Sequence, residues 1–174
     1  MLSFVLMYVC NNIVNRVPSR SFRLFFYKRI MRFEIEKNVS ILMRTIFYGK
    51  GNLTVGKNSV INDNCRIDNR GKIVIGSNVS ISSESFIVSS QHDIQSIDFK
   101  TITRETVIGD YVFIGARGMV LPNVNLKRGC VVGAGSIVTK SFEEYSVIAG
   151  NPAKVITMRN SKLDYELFHK PFLQ

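Results

Sequence analysis

The chain has 174 residues, of which 45% are hydrophobic, and it contains no Trp. This composition suits one folded domain with short additions at its ends, and it excludes a disordered chain. Lys and Arg total 23 against 13 Asp and Glu, a formal net charge of +10, which favours anionic partners or a solvated basic face. We expect no nucleic-acid partner, because the usual DNA- and RNA-binding motifs are absent from the sequence.

The N-terminal segment, residues 1–34, mixes large apolar residues with Arg and Lys at roughly helical spacing. Pro18 is expected to separate two short helices, with Ser19 or Ser21 as the N-cap of the second. Two interpretations stay open: helices that pack on the main domain, or a basic amphipathic helix on a membrane surface. The apolar run over residues 1–9 is too short to span a bilayer and lacks the features of a secretory signal.

The three cysteines, Cys10, Cys65 and Cys130, are odd in number and widely spaced. This pattern predicts neither a disulfide framework nor a zinc site. Reduced cysteines are typical of a cytoplasmic protein, which is the location we expect.

Residues 35–157 carry an internal repeat in which an aliphatic residue recurs every six positions, apart from a two-residue slip at the Asn69-Arg70-Gly71 turn and one longer break. A period of six fits a short strand followed by a tight turn, with Gly or Asn tolerating the left-handed backbone at the turn. Three such units close one triangular coil, and stacked coils bury the aliphatic positions. The sequence therefore predicts an all-β solenoid. The twelve repeat positions are Val55, Ile61, Ile67, Ile75, Ile81, Ile87, Ile108, Ile114, Val120, Leu126, Val132 and Val138.

The repeat breaks between Ile87 and Ile108, and a polar loop is expected over residues 88–106. Long loops that leave a compact scaffold commonly carry function, and this loop contains His92, one of two histidines in the chain. Imidazole can serve as a general base near neutral pH, so His92 is the candidate catalytic residue. A backbone carbonyl or a carboxylate would orient its ring; the candidate carboxylates are Asp93, Glu84 and Glu105. His169 is expected to be a surface or packing residue in a C-terminal helix or tail, residues 158–174.

A family resemblance rests on four segments: SSQHDIQSIDF, VIGDYVFIGARGMVLPNV, CVVGAGSIVTK and IAGNPAKVI. They resemble the hexapeptide-repeat acetyltransferases, particularly the O-acetyltransferases of bacterial surface-polysaccharide synthesis and the galactoside and maltose acetyltransferases. The resemblance implies a single-stranded left-handed parallel β-helix, a homotrimer, and acetyl-CoA as cosubstrate in a groove between subunits. It also implies transfer of acetyl to a sugar hydroxyl with His92 as general base, and no metal.

The same resemblance assigns further residues. By position, contacts along or near acetyl-CoA are implied for Asn62, Ala116, Ala134, Thr139, Lys140 and Lys154. The alternative for the small residues is that the solenoid corners simply require them. Arg70 stands where galactoside acetyltransferases have an acidic acceptor-binding residue, and we expect Arg70 and Asp93 to contact the acceptor.

Other functions remain as alternatives. The acceptor of the acetyl group could be a small non-sugar molecule, such as an antibiotic or serine, or the chain could be a non-catalytic scaffold trimer. A sugar substrate held at a membrane would suit the basic N-terminal segment, with the protein at the inner membrane face. Two histidines do not suffice for the three-histidine zinc site of a hexapeptide carbonic anhydrase.

Overall fold

A computed structural model describes residues 2–167, and it begins with two short helices that precede the solenoid. Helix α1 spans Leu2–Asn12, a 3-10 turn spans Val14–Arg16, and helix α2 spans Arg20–Arg29. Of the two serines expected as the N-cap of α2, Ser19 is the one in that position, its hydroxyl accepting a hydrogen bond from the backbone N–H of Phe22 at 3.4 Å.

Nineteen short strands follow within the described residues. In chain order they are β1 (Glu34–Ile35), β2 (Ser40–Ile41), β3 (Ile46–Phe47), β4 (Leu53–Val55), β5 (Val60–Ile61), β6 (Arg66–Asp68), β7 (Ile73–Ile75), β8 (Ser80–Ile81), β9 (Phe86–Val88), β10 (Ser90–His92), β11 (Thr101–Thr103), β12 (Thr106–Ile108), β13 (Phe113–Ile114), β14 (Met119–Val120), β15 (Asn125–Leu126), β16 (Val131–Val132), β17 (Ile137–Val138), β18 (Ser146–Gly150) and β19 (Ala153–Met158).

The strands build a triangular prism, and each of its three faces is a parallel sheet. Leaving aside β10 and β11, each strand from β4 to β17 pairs with the strand three places earlier along the chain, which is one coil back. Face 1 contains β1, β4, β7, β12 and β15; face 2 contains β2, β5, β8, β13, β16 and β18; face 3 contains β3, β6, β9, β14 and β17. Strand β19 turns back and pairs antiparallel with β18 at the end of face 2.

The core is the column of side chains inside this prism. All twelve predicted repeat positions are at most 1% exposed, so the predicted solenoid is confirmed. The register explains the stacking: Ile61 pairs with Ile81, Ile81 with Ile114, and Ile114 with Val132, each one coil further along. The column also continues at both ends through buried residues outside the predicted runs, such as Phe47 and Ile148.

The corners require a left-handed backbone, and short polar residues supply it at many of them. Asn58 and Asn78 have φ of 59° and 55° at equivalent corners of neighbouring coils. Glu84 and Arg117 adopt φ of 63° and 59°, so the corners are not restricted to the Gly and Asn that the sequence predicted.

The helices cap the open end of the first coil. Asn11 bonds to the backbone of Phe47 as a strand would, its Nδ2 donating to the carbonyl at 2.7 Å and its Oδ1 accepting the N–H at 3.0 Å. Arg23, fully buried, donates to the Ile41 carbonyl at 3.1 Å, and Arg20 donates to the Val39 carbonyl. These side chains satisfy backbone groups that the first coil would otherwise leave unpaired.

Three edges separate the faces, and we name each by the faces it joins. The 1–2 edge includes residues 56–59 and 76–79; the 2–3 edge includes residues 62–65, 115–118 and 133–136; the 3–1 edge includes residues 69–72, 89–105 and 139–141.

The C-terminal tail covers the 1–2 edge. Tyr165 packs edge-on against Tyr111 with ring centroids 5.1 Å apart, and the Leu167 N–H donates to Asn78 Oδ1 at 3.2 Å. Residues 159–167 contain no helix, so the helical alternative for this segment is wrong there, whereas His169 lies outside the described residues. The 2–3 and 3–1 edges carry the predicted site residues.

Candidate active site

A hairpin carries His92 out of the solenoid at the 3–1 edge. Strands β10 and β11 pair antiparallel, with His92 opposite Thr101, and they lie between Val88 at the end of β9 and Thr106 at the start of β12. The hairpin occupies the break in the repeat where a polar loop was expected, and it is an ordered antiparallel ribbon.

Buried hydrogen bonds fix the base of the hairpin to the preceding coil. The Ser89 hydroxyl, fully buried, accepts from the Gly71 N–H at 2.9 Å and donates to the Asp68 carbonyl. The Arg104 N–H closes the ribbon by donating to the Ser89 carbonyl at 2.8 Å. A Cβ on Gly71 would lie 2.9 Å from the Ser89 carbonyl oxygen, so the glycine allows the ribbon to approach this closely.

A backbone carbonyl orients His92. The Nδ1 of its exposed ring lies 2.7 Å from the Phe99 carbonyl oxygen, and the two rings stack with centroids 4.4 Å apart and an interplanar angle of 5°. A carbonyl oxygen can only accept, so the Nδ1 of the neutral ring carries the proton and donates it. The Nε2 therefore retains its lone pair on the side away from the carbonyl.

The carboxylates predicted as orienting partners have other contacts. Asp93 Oδ1 accepts from the Gln95 N–H at 3.0 Å, within the hairpin turn. Glu84 pairs with Arg117 at 2.7 Å, and Glu105 pairs with Lys72 at 2.8 Å. Of the partners that the sequence left open, the carbonyl is the one the structure contains.

Four of the residues expected near acetyl-CoA follow the 2–3 edge. Asn62 begins the corner of the second coil, and its Nδ2 donates to the Ile81 carbonyl at 2.9 Å. Ala116 and Ala134 are exposed at equivalent corners of the fourth and fifth coils. Lys154, also exposed, pairs with Ala149 where the last strands meet. With coils about 4.8 Å apart, these residues mark a line about 20 Å long.

The small corner residues differ in what they contact. A Cβ on Gly133 would lie 3.0 Å from the Ala149 Cβ, so this glycine is required by packing of the solenoid. Ala116 and Ala134 point outward and are exposed, so their size leaves room along the edge. Packing of the solenoid corner therefore explains why residue 133 is a glycine. It does not explain the two alanines, which remain available to contact a ligand.

The remaining predicted residues lie along the 3–1 edge with His92. Thr139 and Lys140 are exposed in the fifth coil, and the Lys140 ammonium lies 5.8 Å from the centre of the Phe142 ring. Arg70 lies in the second coil and makes two bonds to Asp68: Nε to Oδ1 at 2.9 Å and Nη2 to Oδ2 at 2.8 Å. This hydrogen-bonded pair raises the pKa of the Arg70 guanidinium above its ordinary value.

Face 3 separates the two edges. Its strands are two or three residues long, so residues at the 2–3 edge and at the 3–1 edge of one chain are at least about 10 Å apart. The structure brings Asn62, Ala116, Ala134 and Lys154 together on one edge, and His92, Arg70, Thr139 and Lys140 on the other. It does not bring the two groups together within one chain.

Two residues that the sequence did not indicate, Phe99 and Ser89, support His92. Phe99 supplies both the carbonyl and the stacked ring, and it adopts a φ of 46°. No local sequence pattern predicts this backbone conformation. Ser89 was hidden because a serine next to a strand is common in this sequence. Their position beside the loop histidine was the available signal.

The described residues contain no cluster suited to a metal. No group of three or more His, Cys, Asp or Glu side chains that could hold an ion occurs among residues 2–167. Burial raises the pKa of the Cys65 thiol to about 12 and that of Cys130 to about 11, so neither is a thiolate nucleophile near neutral pH. Within the same residues, no helix combines the length and apolarity needed to cross a membrane.

Sequence and structure comparisons identify relatives that align with most of this chain. The dTDP-4-amino-4,6-dideoxy-D-glucose acyltransferase of Escherichia coli is 31% identical over 169 residues, covering 79% of this chain and 88% of the relative. WcaF of Escherichia coli K12, whose name proposes an acetyltransferase of colanic acid biosynthesis, is 34% identical over 134 residues, covering 77% of this chain and 74% of the relative. No protein-family model matches the chain.

Among solved structures, a galactoside acetyltransferase in complex with coenzyme A is 28% identical. It superimposes with a TM-score of 0.80 over 91% of this chain and 80% of the other. The expected left-handed parallel β-helix is thereby confirmed. The extent of these matches shows that the chain belongs to the hexapeptide-repeat acetyltransferases and is an acetyltransferase.

Proposed function

We propose that the protein transfers an acetyl group from acetyl-CoA to a hydroxyl of a sugar used in surface-polysaccharide biosynthesis. The observation that carries the proposal is the exposed His92, whose Nδ1 is fixed on the Phe99 carbonyl while its Nε2 is left to act as a base. Acetyl-CoA supplies a thioester, an activated acyl group that an alcohol can attack once its proton is removed.

His92 Nε2 accepts the proton of the attacking hydroxyl as that oxygen bonds to the acetyl carbonyl carbon. The same nitrogen then returns the proton to the sulfur as the carbon–sulfur bond breaks, so the products are the acetyl ester and free CoA. The Phe99 carbonyl stabilises the imidazolium that exists between the two transfers, because it accepts from Nδ1 throughout. The stacked Phe99 ring restricts rotation of the imidazole.

The 2–3 edge is suited to hold the donor. Exposed Ala116 and Ala134 leave an open path along the edge, and Lys154 at its end makes no ion pair with the described residues. A lysine there can pair with a phosphate of CoA as a point charge. Asn62, further toward the N-terminal end, would then be beside the thioester, and Thr139 and Lys140 would contact the adenosine end from the other edge.

A homotrimer explains why the site residues occupy two edges. In a closed ring of three copies, the 2–3 edge of one chain can face the 3–1 edge of the next, since ring interfaces join two different surfaces. His92 of one copy would then reach the thioester lying along its neighbour. Partly exposed apolar side chains on the outside of face 3, such as Phe86 and Met119, are suited to such contacts.

The sugar acceptor is inferred from the relatives and from the 3–1 edge. The two sequence relatives described above are named for sugar or polysaccharide substrates, which supports a sugar acceptor. Arg70 and Asp93 lie on the same edge as His92, and Arg70 keeps half of its side chain exposed while bound to Asp68. It can therefore still donate to an acceptor oxygen.

Release of free CoA tests the proposal. Purified protein with acetyl-CoA should release CoA in the presence of some members of a panel of sugars, sugar nucleotides and lipid-linked sugars. Turnover with chloramphenicol or serine alone would favour the non-sugar acceptor. Tight binding of acetyl-CoA with no turnover on any acceptor would favour the scaffold and contradict the proposal. We further propose a cytoplasmic location at the inner membrane face, where lipid-linked precursors would be accessible.

A further inference from the structure

We propose that the outer surface of α1 and α2 is a docking surface for a bilayer that contains anionic lipids. Its apolar part consists of large side chains that point away from the solenoid. On α1, Phe4 is 82% and Tyr8 66% exposed; on α2, Phe22 is 47% and Phe25 60% exposed. Their spacing of three or four residues places each pair on one side of its helix.

The two helices form one continuous surface. A shallow groove of about 350 Å³ runs between them, and its lining includes Val5, Val9, Phe26, Ile30 and Lys50. The opposite sides of both helices are committed to the core through Cys10 and Tyr27, which are fully buried. Packing on the solenoid thus satisfies one side of each helix and leaves the other side apolar and exposed.

The charge of this surface indicates the partner. The first acidic residue of the chain is Glu34, so the helical segment before it carries cations alone. Arg20 and Arg23 are used to cap the first coil, but exposed Lys28 and Arg29 make no ion pair with the described residues. Exposed aromatic side chains beside unpaired cations fit the interface of an anionic membrane. Two such surfaces placed face to face would repel each other, which disfavours a second copy as the occupant.

Threefold symmetry would strengthen binding to the membrane, and this step rests on the proposed trimer. Rotation about a threefold axis keeps each residue at the same height along that axis, so three helical caps would present their surfaces together. Three weak contacts with one bilayer then act as one stronger contact. The His92 hairpin leaves the solenoid after the third coil, about 10–15 Å from the cap, so the acetyl group would be transferred near the membrane.

Vesicle flotation tests the surface without acetyl-CoA or acceptor, so its failure is distinct from failure of the proposed function. The intact protein should float with phosphatidylcholine vesicles that contain 30% phosphatidylglycerol, and at least about tenfold less with phosphatidylcholine alone. The double variant Phe22→Ser/Phe25→Ser should lose flotation by at least about tenfold. Lys28→Glu/Arg29→Glu should do the same on the anionic vesicles.

The matched control is Ile94→Ser/Ile97→Ser, which removes two exposed apolar side chains from the hairpin, where they are 77% and 107% exposed. It should float like the unchanged protein. Circular dichroism and light scattering would verify that every variant keeps its fold and assembly. Absence of flotation, equal flotation on both lipids, or equal loss in the hairpin variant would overturn the proposal. Loss of a larger assembly in the Phe22/Phe25 variant, without vesicle binding, would instead assign the surface to a second copy.

Discussion

Replacing Ser89 with Ala, compared with a matched control, tests whether Ser89 positions His92 or only stabilises the solenoid. The substitution removes a buried hydroxyl that accepts from the Gly71 N–H and donates to the Asp68 carbonyl. It leaves a buried N–H without its acceptor, at a cost of about 1–3 kcal/mol in the free energy of unfolding. For a chain of this length, that cost lowers the Tm by about 2–12 °C.

A matched control exists at another corner. Ser59, also fully buried, accepts from the Val79 N–H at 3.0 Å and donates to the Gly76 carbonyl at 2.7 Å, far from the hairpin. Ser59→Ala should lower the Tm by a similar amount and leave kcat intact. Ser89→Ala should also lower kcat by about 10–100-fold, because a shift of about 1 Å in a catalytic group has that effect. Steady-state CoA release at a temperature well below both Tm values is the assay. Equal kcat in the two variants would refute the positioning role of Ser89.

Gly56→Ala should lower the Tm more than Gly51→Ala, because a Cβ at Gly56 would lie 2.6 Å from backbone of the next coil, whereas at Gly51 it meets only an unfavourable φ of 66°; equal shifts in thermal melts would contradict this packing. The free energy of unfolding should fall above pH 9, because burial raises the pKa of Cys65 from 9.0 to about 12. Above that pH the unfolded chain loses a proton that the folded chain keeps, so the free energy of unfolding falls by about 1.4 kcal/mol per pH unit. Denaturant titrations at several pH values should show that it falls less steeply with pH in Cys65→Ala. Lys154→Ala should raise the Kd for acetyl-CoA by about 5–100-fold, as measured by calorimetry, while Lys57→Ala should not; an unchanged Kd would remove Lys154 from the donor site.

The solenoid could be predicted because its signal is repeated. Each aliphatic position reports the same environment, so the twelve positions reinforce one another, and all of them are buried. The cap could be predicted only in part: the helices were expected, but not that Arg20 and Arg23 would bond to backbone of the first coil. Their charge made them resemble surface residues, and only the tertiary contact reveals their role.

The candidate site was predictable to the level of the loop and its histidine. The break in the repeat located the hairpin, and the chemistry of imidazole selected His92. The orienting group could not be chosen, because a backbone carbonyl leaves no mark in the sequence and the Phe99 carbonyl is brought back by the fold of the hairpin itself. The separation of the candidate residues onto two edges could not be predicted either. It depends on which turns of successive coils stack on the same edge of the prism.

The rate of acetyl transfer by His92→Asn tests the central claim most directly. The Asn amide can still donate to the Phe99 carbonyl, but it has no basic nitrogen where Nε2 was. We predict that kcat falls by about 10²–10⁴-fold, while the Kd for acetyl-CoA, the assembly and the Tm stay close to those of the unchanged protein. A kcat within a few-fold of the unchanged protein would contradict the assignment of His92 as the general base.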